Sequence, residues 1–409
     1  METNNRQFMK AERLQNVSYE VRGQLSEMAL RMEAAGEKII KLNIGNPACF
    51  GFSAPDNVLE EMRERAAKSQ PYSEFRGNID ALQAIQMYAA QKGIQGVELT
   101  DIYTGNGASE LIEISLEALL NTGDEVLIPS PDYPLWTAAV TLNGGRPVYY
   151  VCDEKSDWSP DLADIENKIT PRTRAIVIIN PNNPTGALYS KDILKGIVEI
   201  ACRHDLVIFS DEIYDRLLLD GDSHTSIASL APDCLCVTMN GLSKSHMLCG
   251  FRIGWMVISG AKERAKDYIA GIDMLTNMRL CSNVPGQSVI PMALSGRQRA
   301  ERFFVPDGRV CRQRDTVWKL LNDIPGVTAY KPKAAFYIFP GVDADRFGIT
   351  DDDKFALDLL KATNVLIVPG KGFNWGKPGY FRIVYLPETP VLEEAVARIG
   401  NFLEGYHQH

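Results

Sequence analysis

Ala175-Ile176-Val177-Ile178-Ile179-Asn180-Pro181-Asn182-Asn183-Pro184-Thr185-Gly186 joins an unbroken apolar run to a loop built from two prolines and a glycine. An apolar run without polar alternation is a strand covered on both faces. Glu125-Val126-Leu127-Ile128-Pro129 and Leu206-Val207-Ile208-Phe209-Ser210-Asp211 repeat the pattern, and Ile102-Tyr103-Thr104 and the run Cys234 to Met239 follow it. Helix-length segments separate these runs. One of them, behind Gly105-Asn106-Gly107-Ala108-Ser109, carries Leu111, Ile112, Ile114, Leu116, Leu119 and Leu120 on broad apolar faces. This alternation over residues 81 to 294 predicts an α/β fold with a mostly parallel sheet under helices on both sides. Functional groups are then expected beyond the strand ends, where loops open a crevice.

The last third changes character. Residues 295 to 325 read as helical, Phe336 to Pro340 and Tyr380 to Leu386 as strands, and 391 to 405 as a closing helix. A helix near residues 20 to 35 is expected to pack with this part as a second, smaller α+β domain. The division expected is an N-terminal segment of the small domain over 1–60, a large domain over 61–294 and the rest of the small domain over 295–409. A chain of 409 residues exceeds one typical core, which agrees with two domains.

Hydrophobic content of 45% and charged content of 23% are those of a soluble globular protein. The net charge of -9 argues against a nucleic-acid or anionic-membrane partner. No stretch of apolar residues is long enough to span a membrane. Met1 to Gln15 is polar and does not read as a secretory signal. The cysteines at 49, 152, 202, 234, 236, 249, 281 and 311 are expected to be reduced, mostly buried thiols of a cytoplasmic enzyme.

Several residues stand out chemically. Lys244 follows the strand-like run Cys234 to Met239 across a small-residue turn, and Arg252 comes eight residues later between Gly250 and Gly254. The amine suits a Schiff base with an aldehyde and the guanidinium suits a phosphate. Pyridoxal 5'-phosphate (PLP) carries both groups; a solvated lysine and a surface arginine are the plain alternative. Gly105-Asn106-Gly107-Ala108-Ser109-Glu110 is not a dinucleotide fingerprint, because Glu110 takes the place of the third glycine. It still offers N–H groups at a helix N-terminus, either for one phosphate or as a simple cap. Asn183 sits in the rigid proline loop, as a donor to a phenolate-like oxygen or as part of a well-made turn. Asp211 ends a strand, where it suits a pyridine nitrogen, with Tyr214 three residues on. No histidine or further carboxylate lies at metal-ligand spacing from Asp211 and Glu212, so no metal is expected. Tyr133 or Trp136 is placed to stack on a planar cofactor or to pack in the core. Arg382 lies inside an apolar strand and needs an anion, from a substrate carboxylate or from an internal acid.

Taken in order, Gly45-Asn46-Pro47, Tyr72, Gly107-Ala108-Ser109, Tyr133, Asn183-Pro184-Thr185-Gly186, Asp211, Tyr214, Ser243-Lys244, Arg252 and Arg382 resemble the class I aminotransferases of PLP fold type I, from about residue 40 to 390. Longer strings, among them Lys41 to Pro47 and Pro131 to Val140, are most similar to bacterial alanine (glutamate–pyruvate) aminotransferases. The resemblance implies a seven-stranded-type sheet in the large domain. It implies Lys244 as the Schiff-base lysine and Ala108, Ser109 and Arg252 as phosphate ligands. Asp211 pairs with the ring nitrogen, Asn183 and Tyr214 address the ring oxygen, and Tyr133 stacks on the ring. Arg382, with Asn183 and the backbone at Gly45, binds the substrate carboxylate. Tyr72 reaches the cofactor phosphate of a neighbouring subunit, which implies a homodimer with shared active sites.

The implied reaction is transamination between L-alanine and 2-oxoglutarate through the Lys244 Schiff base and a 1,3-proton shift, with amino-acid and 2-oxo-acid substrates. Another donor preference (valine, aspartate or aromatic), C–S β-elimination on the same fold, and a non-catalytic PLP-sensing regulator are the alternatives. Two features depart from the pattern. Gly241 stands where many relatives have a phosphate-binding Ser or Thr, with Ser243 the expected substitute. His246-Met247-Leu248-Cys249 differs from the alanine enzymes near the cofactor. Arg279 and Ser282 are candidates by location for reading a distal carboxylate, with a structural role the alternative for Arg279.

Overall fold

The eight strands of the central sheet are β1 (Ile102–Asn106), β2 (Glu125–Ser130), β3 (Arg146–Asp153), β4 (Ser159–Pro160), β5 (Thr173–Ile179), β6 (Val207–Asp211), β7 (Cys236–Gly241) and β8 (Ile253–Ser259). They come from a computed structural model that describes residues 8–15, 17, 23–296 and 301–409. Their order is β1-β8-β7-β6-β5-β2-β3-β4. The five central strands, β7 to β3 in that order, pair in parallel. β8 runs antiparallel between β7 and β1, and the two-residue β4 pairs antiparallel at the edge. The expected seven long strands are therefore present, with one short edge strand added.

The unbroken apolar runs have a direct physical outcome. Successive side chains of a strand point to opposite faces. Ile176 and Ile178 of β5, with Ile208 of β6, enter one core, while Ala175, Val177, Ile179, Val207 and Phe209 enter the other. Ile176 and Ile178 are fully buried, and each such side chain contributes about 1.5–3 kcal/mol.

A third core joins the two chain ends. It packs Leu42 and Phe52 with Val310, Phe336, Phe355 and Leu403, and it also takes in Tyr214 and Met247 from loops beyond the sheet. Ile40–Lys41 pairs in parallel with Val365–Leu366. The helix Gln24–Ala34 adds Ala29 and Met32 against Leu360. The smaller α+β part thus draws on both chain ends, as expected. The helix expected near 20 to 35 begins at Gln24; residues 1–7, 16, 18–22 and 297–300, on which parts of the terminal and helical expectations fall, lie outside the described residues. The expected strands shrink to Tyr337–Ile338 and Phe381–Val384, which pair antiparallel.

The cysteines require a correction. Cys202, near the end of the helix Lys191–Arg203, and Cys234 are disulfide-bonded, with Cα atoms 5.4 Å apart. The other six are free. Cys202 lies just before β6 and Cys234 just before β7, and because these neighbouring strands run parallel both stand at the same edge of the sheet, a proximity that separations along the chain do not reveal. Among the described residues no helix is long and apolar enough to cross a membrane, and no cluster of His, Cys, Asp and Glu is able to hold a metal ion.

Candidate active site

The C-terminal ends of β5, β6 and β7 and the first turn of the helix Ala108–Leu119 open onto one cleft of ≈ 230 Å³. Lys244 enters it from the single helical turn Leu242–Ser245 that ends β7. Its Nζ donates to the carbonyl of Gly45 at 2.7 Å and lies 3.7 Å from the Cys249 Sγ. The turn has to begin with glycine. A Cβ at Gly241 would stand 2.5 Å from the carbonyl oxygen of Ile253 on the neighbouring strand. This explains why no hydroxyl residue occupies position 241, while Ser243 does line the cleft.

Arg252 reaches the cleft from a left-handed backbone position, φ 54°. Its Nη1 donates to the Cys249 carbonyl at 3.0 Å and its Nη2 to the Asn106 carbonyl at 3.4 Å. The guanidinium passes so close to Gly107, itself at φ +85°, that a Cβ there would stand 2.2 Å from Nη2. Gly254 similarly admits the Ala108 backbone N, 2.4 Å from where its Cβ would be. No side chain caps the helix that follows Gly107, so its first N–H groups are left beside Ala108 and Ser109 of the lining. A cation and uncapped helix donors together favour an anion. Glu110, in place of the third glycine, is structural: it accepts from the Asn106 N–H at 2.8 Å and pairs with Arg279 at 3.0 Å.

Asp211 closes β6 and is buried. Burial pushes its carboxyl up to about 6, against N–H donation from the Ile213 backbone and from Trp136 Nε1 at 3.3 Å. Trp136 is thereby a core residue that supports Asp211, and Tyr133 is the aromatic that lines the cleft. The Tyr214 hydroxyl lies 2.9 Å from that of Tyr337, and burial holds it protonated well above its ordinary value. The loop Asn180–Gly186 fixes Asn183: Asn182 Oδ1 accepts from the Thr185 hydroxyl at 2.8 Å, and Gly186 accepts from Lys333 and Ala334 N–H at 2.9 and 3.0 Å. Arg382 Nη1 donates to Asn183 Oδ1 at 2.9 Å and Nη2 to the Asn43 carbonyl. Its guanidinium lies over the rings of Tyr337, at 4.5 Å, and Phe373, at 4.7 Å.

Gly45, Ala108, Ser109, Tyr133, Asn183, Asp211, Tyr214, Ser243, Lys244, Arg252 and Arg382 thus all border one cleft. Tyr72 does not; it is 78% exposed on the surface of the single chain. Of the divergent segment only Cys249 lines the cleft. His246 is buried between Ser245 Oγ and the Ala293 carbonyl, at 2.9 and 2.8 Å, and burial lowers it to about 4. Arg279 and Ser282 are not in the lining. Arg279 binds Glu110 and the Thr104 carbonyl, and Ser282 bonds Thr104 and Gln287. Sequence reasoning missed Tyr337, whose only signal was its place in the strand-like run Phe336 to Pro340.

An amine, an anion cradle and a buried acid around one cleft, at the strand ends of an α/β sheet, define a class, and comparison with known proteins identifies it. The family described as aminotransferase class I and II matches residues 37–399, and the chain belongs to that family. It is 54% identical to the glutamate-pyruvate aminotransferase AlaA of Escherichia coli K12 over 399 residues, 98% of each chain. It is 50% identical to the alanine aminotransferase of Mycobacterium bovis, covering 98% of this chain and 94% of that one. The solved alanine aminotransferase of Pyrococcus furiosus superposes with a TM-score of 0.92 at 36% identity, over 97% of this chain and all of that one.

Proposed function

We propose that the protein transfers an amino group between L-alanine and 2-oxoglutarate, giving pyruvate and L-glutamate, with PLP as its cofactor. The observation that carries the reading is the convergence of Lys244, Asp211, Arg252 and Arg382 on one cleft in a chain half-identical to glutamate-pyruvate and alanine aminotransferases.

The residues present fit PLP. Gly107 and Gly254 make room for the cradle of Arg252, Ala108 and Ser109, which would take the phosphate, and Ser243 lines the same cleft. Asp211, buried without a cationic partner among its interactions, gains one in a protonated ring nitrogen. Asn183 spends its oxygen on Arg382, which leaves its Nδ2 to donate to the ring oxygen beside the Tyr214 hydroxyl. Tyr133, which lines the cleft, would hold the ring by its aromatic face.

When bound, PLP supplies an aldehyde carbon for the amino group and a ring that takes up electron density. The chain's own residues do the rest. Arg382, held by Asn183 and Asn43, orients the substrate carboxylate with the backbone at Gly45. Lys244 anchors the cofactor and moves the proton at the substrate α-carbon, as a general base and then an acid. Asp211, fixed by Trp136 and the Ile213 N–H, keeps negative charge against the ring nitrogen.

The reading extends to a cytoplasmic homodimer in which the exposed Tyr72 reaches the partner's cofactor phosphate, and to domains divided at 60/61 and 294/295. Purified protein supplied with PLP, L-alanine and 2-oxoglutarate should release pyruvate. Lys244→Ala should stop this while still folding. Pyruvate release by that variant at the normal rate would refute the assignment of Lys244.

A further inference from the structure

We propose that Tyr337 is a positioning residue that couples the two ends of the reaction site, acting on Tyr214 through its hydroxyl and on Arg382 through its ring. The inference rests on the roles given above to Tyr214 and Arg382. It adds a residue that touches both.

The structure goes to some length to place this side chain. Ala335, two residues earlier, has φ 59°, a left-handed conformation that an L-residue seldom adopts. The backbone around it is pinned: Ala335 N–H donates to the Leu217 carbonyl at 2.8 Å, and Tyr385 Oη donates to the Ala335 carbonyl at 3.2 Å. Such strain persists only where surrounding contacts over-determine it, and it clusters at functional sites. Two glycines then make room. A Cβ at Gly186 would meet the Tyr337 carbonyl oxygen at 2.9 Å, and a Cβ at Gly45 would stand 2.2 Å from the Tyr337 hydroxyl. The result is a phenol 2% exposed, lining the cleft between Gly45, Tyr214 and Arg382.

Its two contacts do different things. Each tyrosine hydroxyl has one proton to donate. If Tyr214 spends its proton on the ring oxygen of bound cofactor, the 2.9 Å contact is made by Tyr337 donating to the Tyr214 oxygen. Chained donors polarise one another, so Tyr337 strengthens the donation by Tyr214. The ring, with the guanidinium 4.5 Å from its centroid, holds Arg382 by a cation–π contact. The hydroxyl therefore acts on the cofactor end and the ring on the carboxylate end, and the two are separable by substitution.

The test compares Tyr337→Phe and Tyr337→Leu in PLP-loaded protein, by titrating the visible absorption band with pH and by steady-state kinetics with L-alanine. Tyr337→Phe keeps the ring. A weaker donor at the ring oxygen favours the protonated form, so the band midpoint should rise by about half a pH unit, with the alanine KM within about twofold of wild type. Tyr337→Leu loses both contacts and should add a KM increase of about fivefold or more. A midpoint in Tyr337→Phe equal to wild type overturns the coupling to Tyr214, and an unchanged KM in Tyr337→Leu overturns the coupling to Arg382. Wild-type protein without any PLP band fails differently: it overturns the functional reading itself.

Discussion

Arg382 and Asn183, 199 positions apart in sequence, meet through a 2.9 Å hydrogen bond from Nη1 to Oδ1. The amide oxygen steadies the arginine, and in the proposed reaction the amide nitrogen would donate toward the cofactor. Under that proposal, a buried bond ties the substrate end of the cleft to the cofactor end.

Removing that arginine should be costly at the binding step. Arg382→Ala loses charge-assisted hydrogen bonds worth about 1.5–3 kcal/mol, so kcat/KM for L-alanine is expected to fall about 10–150-fold, mostly through KM. Steady-state kinetics over a wide alanine range checks this, and an unchanged KM would remove the carboxylate role.

Asp211 gives a prediction about the cofactor-free protein. Burial raises its carboxyl from 3.8 to about 6. The folded chain then binds this proton more tightly than the unfolded chain. Its contribution is therefore fully present below about pH 4 and is lost as pH rises to about 6. Asp211→Asn has no such loss. Without PLP, the variant should melt a few degrees above wild type at pH 7.5, and the gap should close at pH 4. With PLP the order should reverse, because only wild type offers the ring nitrogen a carboxylate. Thermal melts of both proteins at both pH values, with and without cofactor, check these differences, and a variant that melts no higher than wild type at pH 7.5 without PLP would contradict them.

The parallel strands were legible because burial on both faces leaves only apolar residues, as in Ala175 to Ile179. β3 was not, since Arg146 and Val151 are exposed, only Tyr150 and Cys152 are buried and the rest is half covered, so the run is too mixed to read as a covered strand. β8 is buried along its whole length, but it opens on Ile253-Gly254, and a glycine at the second position weakens the strand pattern. Asn183, Asp211 and Arg382 stood out as polar groups at strand ends or inside apolar runs. Tyr337 did not: it is one of four large apolar or aromatic residues in a row, and its value lies in a contact with Tyr214 across 123 positions. The reason for Gly241 was equally hidden, because it is set by the backbone of an adjacent strand. The Cys202–Cys234 pairing shows the same limit.

Gly107→Ala tests the anion cradle. Alanine at φ +85° is strained and its Cβ would displace the Arg252 guanidinium. The strain costs about 1–3 kcal/mol, and the loss of cradle geometry should weaken PLP binding by about tenfold or more. Equilibrium titration of the cofactor-free variant with PLP, alongside its melting temperature, separates the two effects.

The most direct test of the whole account is the visible spectrum of the PLP-loaded protein on adding L-alanine alone. The account predicts that the PLP band converts to the pyridoxamine form, and that 2-oxoglutarate then restores it. A PLP band indifferent to L-alanine would contradict the proposed reaction even though the fold and the cleft stand.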